Sequence, residues 1–99
     1  MAKVLVEAGA SLSAVNKQGR TPLHLAAWKA QTEVTKVLLE AGASLSAVDN
    51  VGWTPLHLLA WEGYTDVTKV LVEAGASLSA VNNEGMTPLH LTAWGGRQR

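Results

Sequence analysis

The sequence contains no cysteine and no phenylalanine, and only three prolines in 99 residues. Without cysteine there is no disulfide framework, no thiolate nucleophile and no cysteine-based zinc site. That absence leaves the redox compartment open, although a disulfide-free chain suits the cytosol. Neither sign of charge is in excess, because 8 basic residues meet 8 acidic ones and the formal net charge is zero. Nothing global therefore draws the chain to nucleic acid or to an anionic lipid surface. No apolar run approaches the roughly 18 residues of a transmembrane helix. The opening Met1-Ala2-Lys3-Val4 lacks the long apolar stretch of a signal peptide. Together these absences predict a cytoplasmic or otherwise intracellular location, with no membrane and no nucleic-acid partner. The hydrophobic share of 47% is ordinary for a folded domain and too high for disorder.

What the sequence does have is a period. Thr-Pro-Leu-His begins at Thr21, Thr54 and Thr87, and Gly-Ala-Ser-Leu-Ser-Ala-Val begins at Gly9, Gly42 and Gly75. Both recur every 33 residues, and 24 of the 33 residues in 21–53 are repeated identically in 54–86. Three near-copies of one unit offer few unique positions, which argues against an enzyme with a single shaped pocket. Within a unit, Thr21 is a helix N-cap and Pro22 fits the first helical position, so a short helix is expected over about 21–30. Gly63 is expected to end the equivalent helix in the next copy, while Ala30 lacks glycine's easy left-handed conformation and predicts a different turn. Val34, Val37, Leu38 and Ala41 fall at i, i+3, i+4, i+7 and predict a second helix over about 33–41, repeated by Val67, Val70, Leu71 and Ala74. Lys36 with Glu40, Lys69 with Glu73 and Lys3 with Glu7 are spaced as i,i+4 pairs on a solvated face. Gly42 and Gly75 follow the second helices as C′ residues. The stretch around Asp49-Asn50-Val51-Gly52 is a turn signal, expected as a projecting loop or short hairpin. Neither helix reaches the roughly 12–15 residues of a marginal isolated helix, so the units must stack to bury their apolar faces.

Thr21-Pro22-Leu23-His24-Leu25-Ala26-Ala27 and its two copies, with Leu38, Gly42, Ala43, Ala47, Asp49 and Gly52, resemble the ankyrin repeat over the whole chain. The resemblance implies an all-α solenoid of short helix pairs joined by projecting hairpin loops, without catalytic activity. It implies protein binding on a concave face lined by loop tips and first helices. It also implies that Thr21, His24, Thr54, His57, Thr87 and His90 are structural, tying successive loops by hydrogen bonds. Departures from the family pattern are Gly-Ala-Ser-Leu-Ser in place of Gly-Ala-Asp-Val-Asn, and Lys29-Ala30-Gln31 or Glu62-Gly63-Tyr64 where Gly-His is common.

The single domain 1–99 then divides into a half-repeat over 1–20 with a second helix and loop, repeats over 21–53 and 54–86, and a half-repeat over 87–99 with a first helix. Val4, Leu5 and Val6 at one end, and Leu89, Leu91 and Ala93 at the other, are as apolar as their internal counterparts, so neither end carries the polar cap that solenoids use. Two expectations follow: a piece of a longer array, or self-association through residues 2–8 and 88–94 that rebuilds a repeat between copies. Residues 95–99 are expected to form a flexible basic tail.

Candidate chemistry is sparse. The three histidines recur one repeat apart, about 10 Å in a helix stack, whereas metal ligands sit at about 2 Å. No serine has a unique base and orienting acid beside it. Ser11, Ser13 and their copies are expected to satisfy loop backbone groups. No phosphate loop is present, and no cofactor or metal is expected. The informative residues are those that differ between copies, and the tryptophans. The candidate protein-binding set is Arg20, Trp28, Lys29, Val51, Trp53, Trp61, Glu62, Tyr64, Glu84, Met86 and Trp94, with Lys17, Gln18, Asn50 and Asn83 on the same loops. Trp53, Trp61 and Met86 are the expected anchors, and Arg20 and Lys29 the expected rim charges. Trp28, Trp61 and Trp94 are equally compatible with a packed ladder and an exposed strip. The alternative function is a structural scaffold that self-assembles through its half-repeat ends. The identity between copies raises an engineered or recently duplicated origin.

Overall fold

A computed structural model of the chain describes residues 2–94; residues 95–99, where the basic tail was expected, lie outside the described residues. Six helices follow in order: α1 (Ala2–Glu7), α2 (Pro22–Trp28), α3 (Thr32–Glu40), α4 (Pro55–Glu62), α5 (Thr65–Glu73) and α6 (Pro88–Trp94). No strand occurs among the described residues. Helices α2 and α4 are first helices, each packed on its own second helix, α3 or α5. The stack runs through two rows, α2 on α4 on α6 and α1 on α3 on α5.

The helix starts follow from local chemistry. Thr21 and Thr54 are extended, their hydroxyls accept from the His24 and His57 backbone N–H groups, and proline fills the first helical position. The second helices have no side-chain cap, starting after Gln31 and Tyr64. They are held by their buried stripe, with Leu38 5% and Leu71 0% exposed. The core is one cluster running along the stack, from Leu23, Ala26 and Ala27 through Leu38, Leu56 and Leu59 to Val67, Leu71 and Ala76.

Two local expectations need correction. Lys36 Nζ pairs with Glu33 at 3.9 Å, an i,i+3 contact, and no ion pair joins Lys36 to Glu40, Lys69 to Glu73 or Lys3 to Glu7 among the described residues. Lysine N-terminal to glutamate is the poorer orientation of an i,i+4 pair, because each charge faces the wrong end of the helix dipole. The turn after α2 does differ from that after α4, since α2 stops one residue earlier at Trp28. Yet Ala30 does not avoid the left-handed region: its φ is 57°, against 80° at Gly63. That conformation costs an L-residue about 1–2 kcal/mol. Ala30→Gly is therefore expected to stabilise the domain by about 0.5–1 kcal/mol, read as a higher urea midpoint with an unchanged m-value.

The loops carry most of the order between units. In the second, Asp49 N–H donates to Trp53 O at 3.0 Å, and Asp49 Oδ1 accepts from the N–H groups of Val51 and Trp53. Asn16 and Asn82 use Oδ1 in the same way on the loops before and after. Ser11, Ser44 and Ser77 accept from the backbone N–H groups of Ser13, Ser46 and Ser79 upstream of these turns. Adjacent tips are joined by Asn50 N–H to Gln18 O at 2.9 Å and Asn83 N–H to Val51 O at 3.1 Å. The Asn50 side chain also donates to Lys17 O, and that of Asn83 to Asn50 O. Asn50 and Asn83, expected as contact residues, are thus spent on zipping the tips together. The approach is close enough that a Cβ on Gly52, itself at φ 81°, would stand 2.7 Å from Asn83 N.

Candidate functional site

Below the tips, each threonine–histidine pair forms a closed circuit. The His24 ring Nδ1 accepts from the Thr21 N–H (3.2 Å) and hydroxyl (2.9 Å), while Nε2 lies 2.7 Å from the carbonyl oxygen of Trp53 in the next unit. A carbonyl only accepts, so Nε2 carries the hydrogen and the ring is neutral. His57 repeats the arrangement with Thr54 and the carbonyl of Met86 at 2.8 Å. Both rings are fully buried. Desolvation by burial lowers both imidazole pKa values below the ordinary 6.5; the carbonyl hydrogen bonds and the Asp49 charge oppose it, and Arg20 adds to the lowering at His24. His90 keeps its bonds to Thr87 but is exposed. No group of three or more His, Cys, Asp or Glu side chains among the described residues is placed to hold a metal ion.

The tryptophans gather on one face, built by the loop tips and the C-terminal ends of the first helices. Trp61 stands between Trp53, edge-on at 6.1 Å, and Trp94, tilted at 5.3 Å. Trp53 also lies 6.1 Å from the His57 ring. Trp61 and Trp53 are half-buried by these contacts, whereas Trp94 is 67% exposed. Trp28, 37% exposed, has the Arg20 guanidinium 5.6 Å and the Lys29 ammonium 5.3 Å from its ring centroid. Its indole N–H donates to the Glu62 carboxylate of the next unit at 3.0 Å. The equivalent tryptophans are therefore neither a uniform ladder nor a uniform strip. Trp61 is packed among rings, Trp94 is open, and Trp28 is framed by charges.

Position by position, the surroundings change along the stack. The residue preceding each Thr-Pro is Arg20, then Trp53, then Met86, and the residue after the first two helix tryptophans is Lys29, then Glu62. The face consequently runs from cationic, through aromatic and acidic, to apolar. Arg20 is not the free rim charge expected of it. Its Nε donates to Asp49 Oδ2 at 3.3 Å, and the two side chains are only 16% and 2% exposed. This ion pair locks the first loop to the second, and as a buried pair it fixes register more than it adds stability. Val51 is exposed at the second tip and Glu84 at the third; with Arg20, Trp53 and Asn83 they line a cleft of about 410 Å³. Met86 is half-buried beside them in the sequence of the third loop. Tyr64 is not brought to this face. It lies at the α4–α5 turn with Gly63 and Thr65, against a separate groove reaching Leu56, Leu59 and Leu89.

The partners that join successive units, of which only the histidine ties were expected from the sequence, share a signal. Arg20 with Asp49, His24 with Trp53 and His57 with Met86 are all 29 residues apart, and Trp28 with Glu62 is 34 apart. A search for complementary side chains near one period, rather than at it, finds them.

Models of ankyrin repeats match the chain twice, one described as many copies over residues 5–59 and one as three copies over residues 45–99. No curated protein matches the chain. No helix among the described residues is long and apolar enough to cross a membrane.

Proposed function

This chain belongs to the ankyrin-repeat family, and from that premise we propose that it binds a protein partner through the concave face of the stack, on the surface that carries its tryptophans. The family is non-catalytic, and its repeats generally mediate protein–protein interaction. One observation carries the finer reading. The contiguous indole surface of Trp53, Trp61 and Trp94 combines a tryptophan that recurs in every copy with one that does not, and it is bordered by positions where the copies differ, Arg20, Trp53 and Met86 on the loops and Lys29 and Glu62 on the first helices. Aromatic anchors half-sunk in a packed surround are what interface centres use, because they bury large area at small cost in side-chain entropy. Lys29 and Glu84 then act as rim charges that set orientation.

The test is selection of peptides from a random display library on the immobilised chain. Trp94→Ala, at an exposed site that leaves the core intact, is expected to weaken selected binders by about tenfold or more, the effect of one anchor. Trp61→Ala should weaken them further. Lys69→Ala on the outer face of α5 should leave them unchanged. Binders indifferent to both tryptophans and lost with Lys69→Ala would place recognition on the second helices instead.

A second reading, self-association, rests on a different observation. Leu89 is 73% exposed on α6 where its counterparts Leu23 and Leu56 are 1% and 3%, and Leu5 on α1 is 51% exposed. These are surfaces that a neighbouring unit covers inside the stack, and copies of this chain carry matching helices. Weight-average mass that rises across a micromolar concentration series, and falls back with Leu89→Glu, supports it; a constant monomer mass defeats it.

A further inference from the structure

The two seams between loop tips are closed differently. In the first, Arg20 Nε meets Asp49 Oδ2, and neither side chain keeps a buried polar atom without a partner. In the second, Asn82 holds its own loop through Oδ1 as Asp49 does, but the residue opposite is Trp53, which cannot accept a hydrogen bond. Asn82 Nδ2 is buried without a partner. Buried groups of this kind ordinarily have a partner, so the second seam is the less fully bonded of the two. Residues of the same tips, Val51, Trp53, Asn83 and Glu84, together with Arg20 line the cleft of about 410 Å³.

The lining determines what fits. Arg20 spends Nε on Asp49 and one terminal nitrogen on Gln18 at 3.4 Å, leaving Nη2 without a bond among the described residues. The Glu84 carboxylate has no hydrogen bond or ion pair there either. The lining thus includes the N–H donors of Arg20, the anionic acceptor of Glu84 and the indole of Trp53. A carboxylate entering the cleft would face Glu84. A guanidinium or ammonium would face Arg20. A neutral planar group that both accepts and donates meets neither repulsion, and it can lie flat on the indole.

We propose that this cleft is a side-chain pocket for a carboxamide, taking a glutamine or asparagine of an extended partner segment whose apolar residues lie on Trp61 and Trp94. The pocket rests on the concave-face reading and specifies one contact within it. The carboxamide oxygen accepts from Arg20, its NH₂ donates to Glu84, and its plane stacks on Trp53. The charge-neutral lining selects glutamine or asparagine over the four ionised side chains.

N-acetyl-glutamine-N-methylamide is the direct probe, followed by the Trp53 indole N–H and Arg20 Nε–H resonances. A saturable shift with a Kd on the order of 1–10 mM is expected, what a fragment of that size reaches. The corresponding aspartate, arginine and leucine derivatives should bind at least about fivefold more weakly, the cost of an unmatched polar contact. Glu84→Ala, at an exposed site, should weaken the glutamine probe by a similar factor. Trp53→Arg with Asn82→Asp, which rebuilds the ion pair of the first seam, should abolish binding while far-ultraviolet circular dichroism stays unchanged. Equal shifts from all four derivatives, or binding that survives both variants, would overturn the proposal. Should the pocket fail while library-selected peptides still depend on Trp94, the concave-face reading stands alone. Should no peptide depend on Trp94, that reading falls whatever the probe does.

Discussion

Leu71→Ala is expected to destabilise the domain by about 2–5 kcal/mol, the range for a fully buried leucine that leaves a cavity. Leu71 is 0% exposed on α5, and the same repeat position is filled by Leu38 at 5% on α3 and Leu5 at 51% on α1. One residue type at one position of one motif therefore samples three environments. Leu38→Ala should fall in the same range as Leu71→Ala. Leu5→Ala should cost less than about 1 kcal/mol, because a half-exposed side chain loses little transfer energy and leaves no sealed void. A domain of this length has roughly 5–15 kcal/mol in all. Loss of Leu71 thus removes a large fraction and should be visible as a lowered urea midpoint and as partial unfolding on warming. Equal costs at all three positions would mean that α1 is packed as firmly as α3 and α5.

The sequence carried the repeated skeleton clearly. Thr21, Pro22 and the i, i+3, i+4 stripe of Val34, Val37 and Leu38 specify helix starts and buried faces within 18 residues, so they survive without knowledge of the stack. The threonine–histidine ties were expected through the family resemblance, and the structure places His24 and His57 on carbonyls of the next loop. What could not be read locally is the pairing between units. Whether Arg20 is a free charge or the partner of Asp49 depends on the stagger of one loop over the next, a property of the stack and not of either segment. The same stagger puts Trp28 against Glu62 and brings Trp53, Trp61 and Trp94 into one group, though they are unevenly spaced in the chain. Ala30 illustrates the opposite limit. Its poor left-handed propensity predicts avoidance, but the packing of α2 on α3 requires the turn and overrides a penalty of about 1 kcal/mol.

Acid should dismantle the seams before it titrates most carboxylates. In the folded chain the neutral rings of His24 and His57 use both nitrogens, Nε2 donating to a carbonyl of the next unit and Nδ1 accepting from threonine. A proton on Nδ1 would set two N–H donors against each other and place a charge in a buried seam, which is why burial lowers both pKa values. The sign follows from linkage. Above the unfolded value of 6.5 neither state binds the proton, and the full stability is present. As pH falls through that value the unfolded chain protonates first, binds more protons than the fold, and stability declines until the folded pKa is passed. Urea midpoints measured from about pH 7.5 to 5 should therefore fall, in a window above the ordinary carboxylate range of about 4. Replacing His57 should change both the level and the slope. At pH 7.5, His57→Ala leaves the Met86 carbonyl and the Thr54 N–H unpaired and opens a cavity, for an expected loss of about 2–4 kcal/mol. It also removes one of the two depressed sites, so the variant's decline with pH should be shallower than that of the parent, and His24→Ala should behave likewise. A parent whose stability is flat between pH 7.5 and 5 would show that the rings can protonate in place, and that the circuit through threonine and carbonyl is not what holds the loops in register.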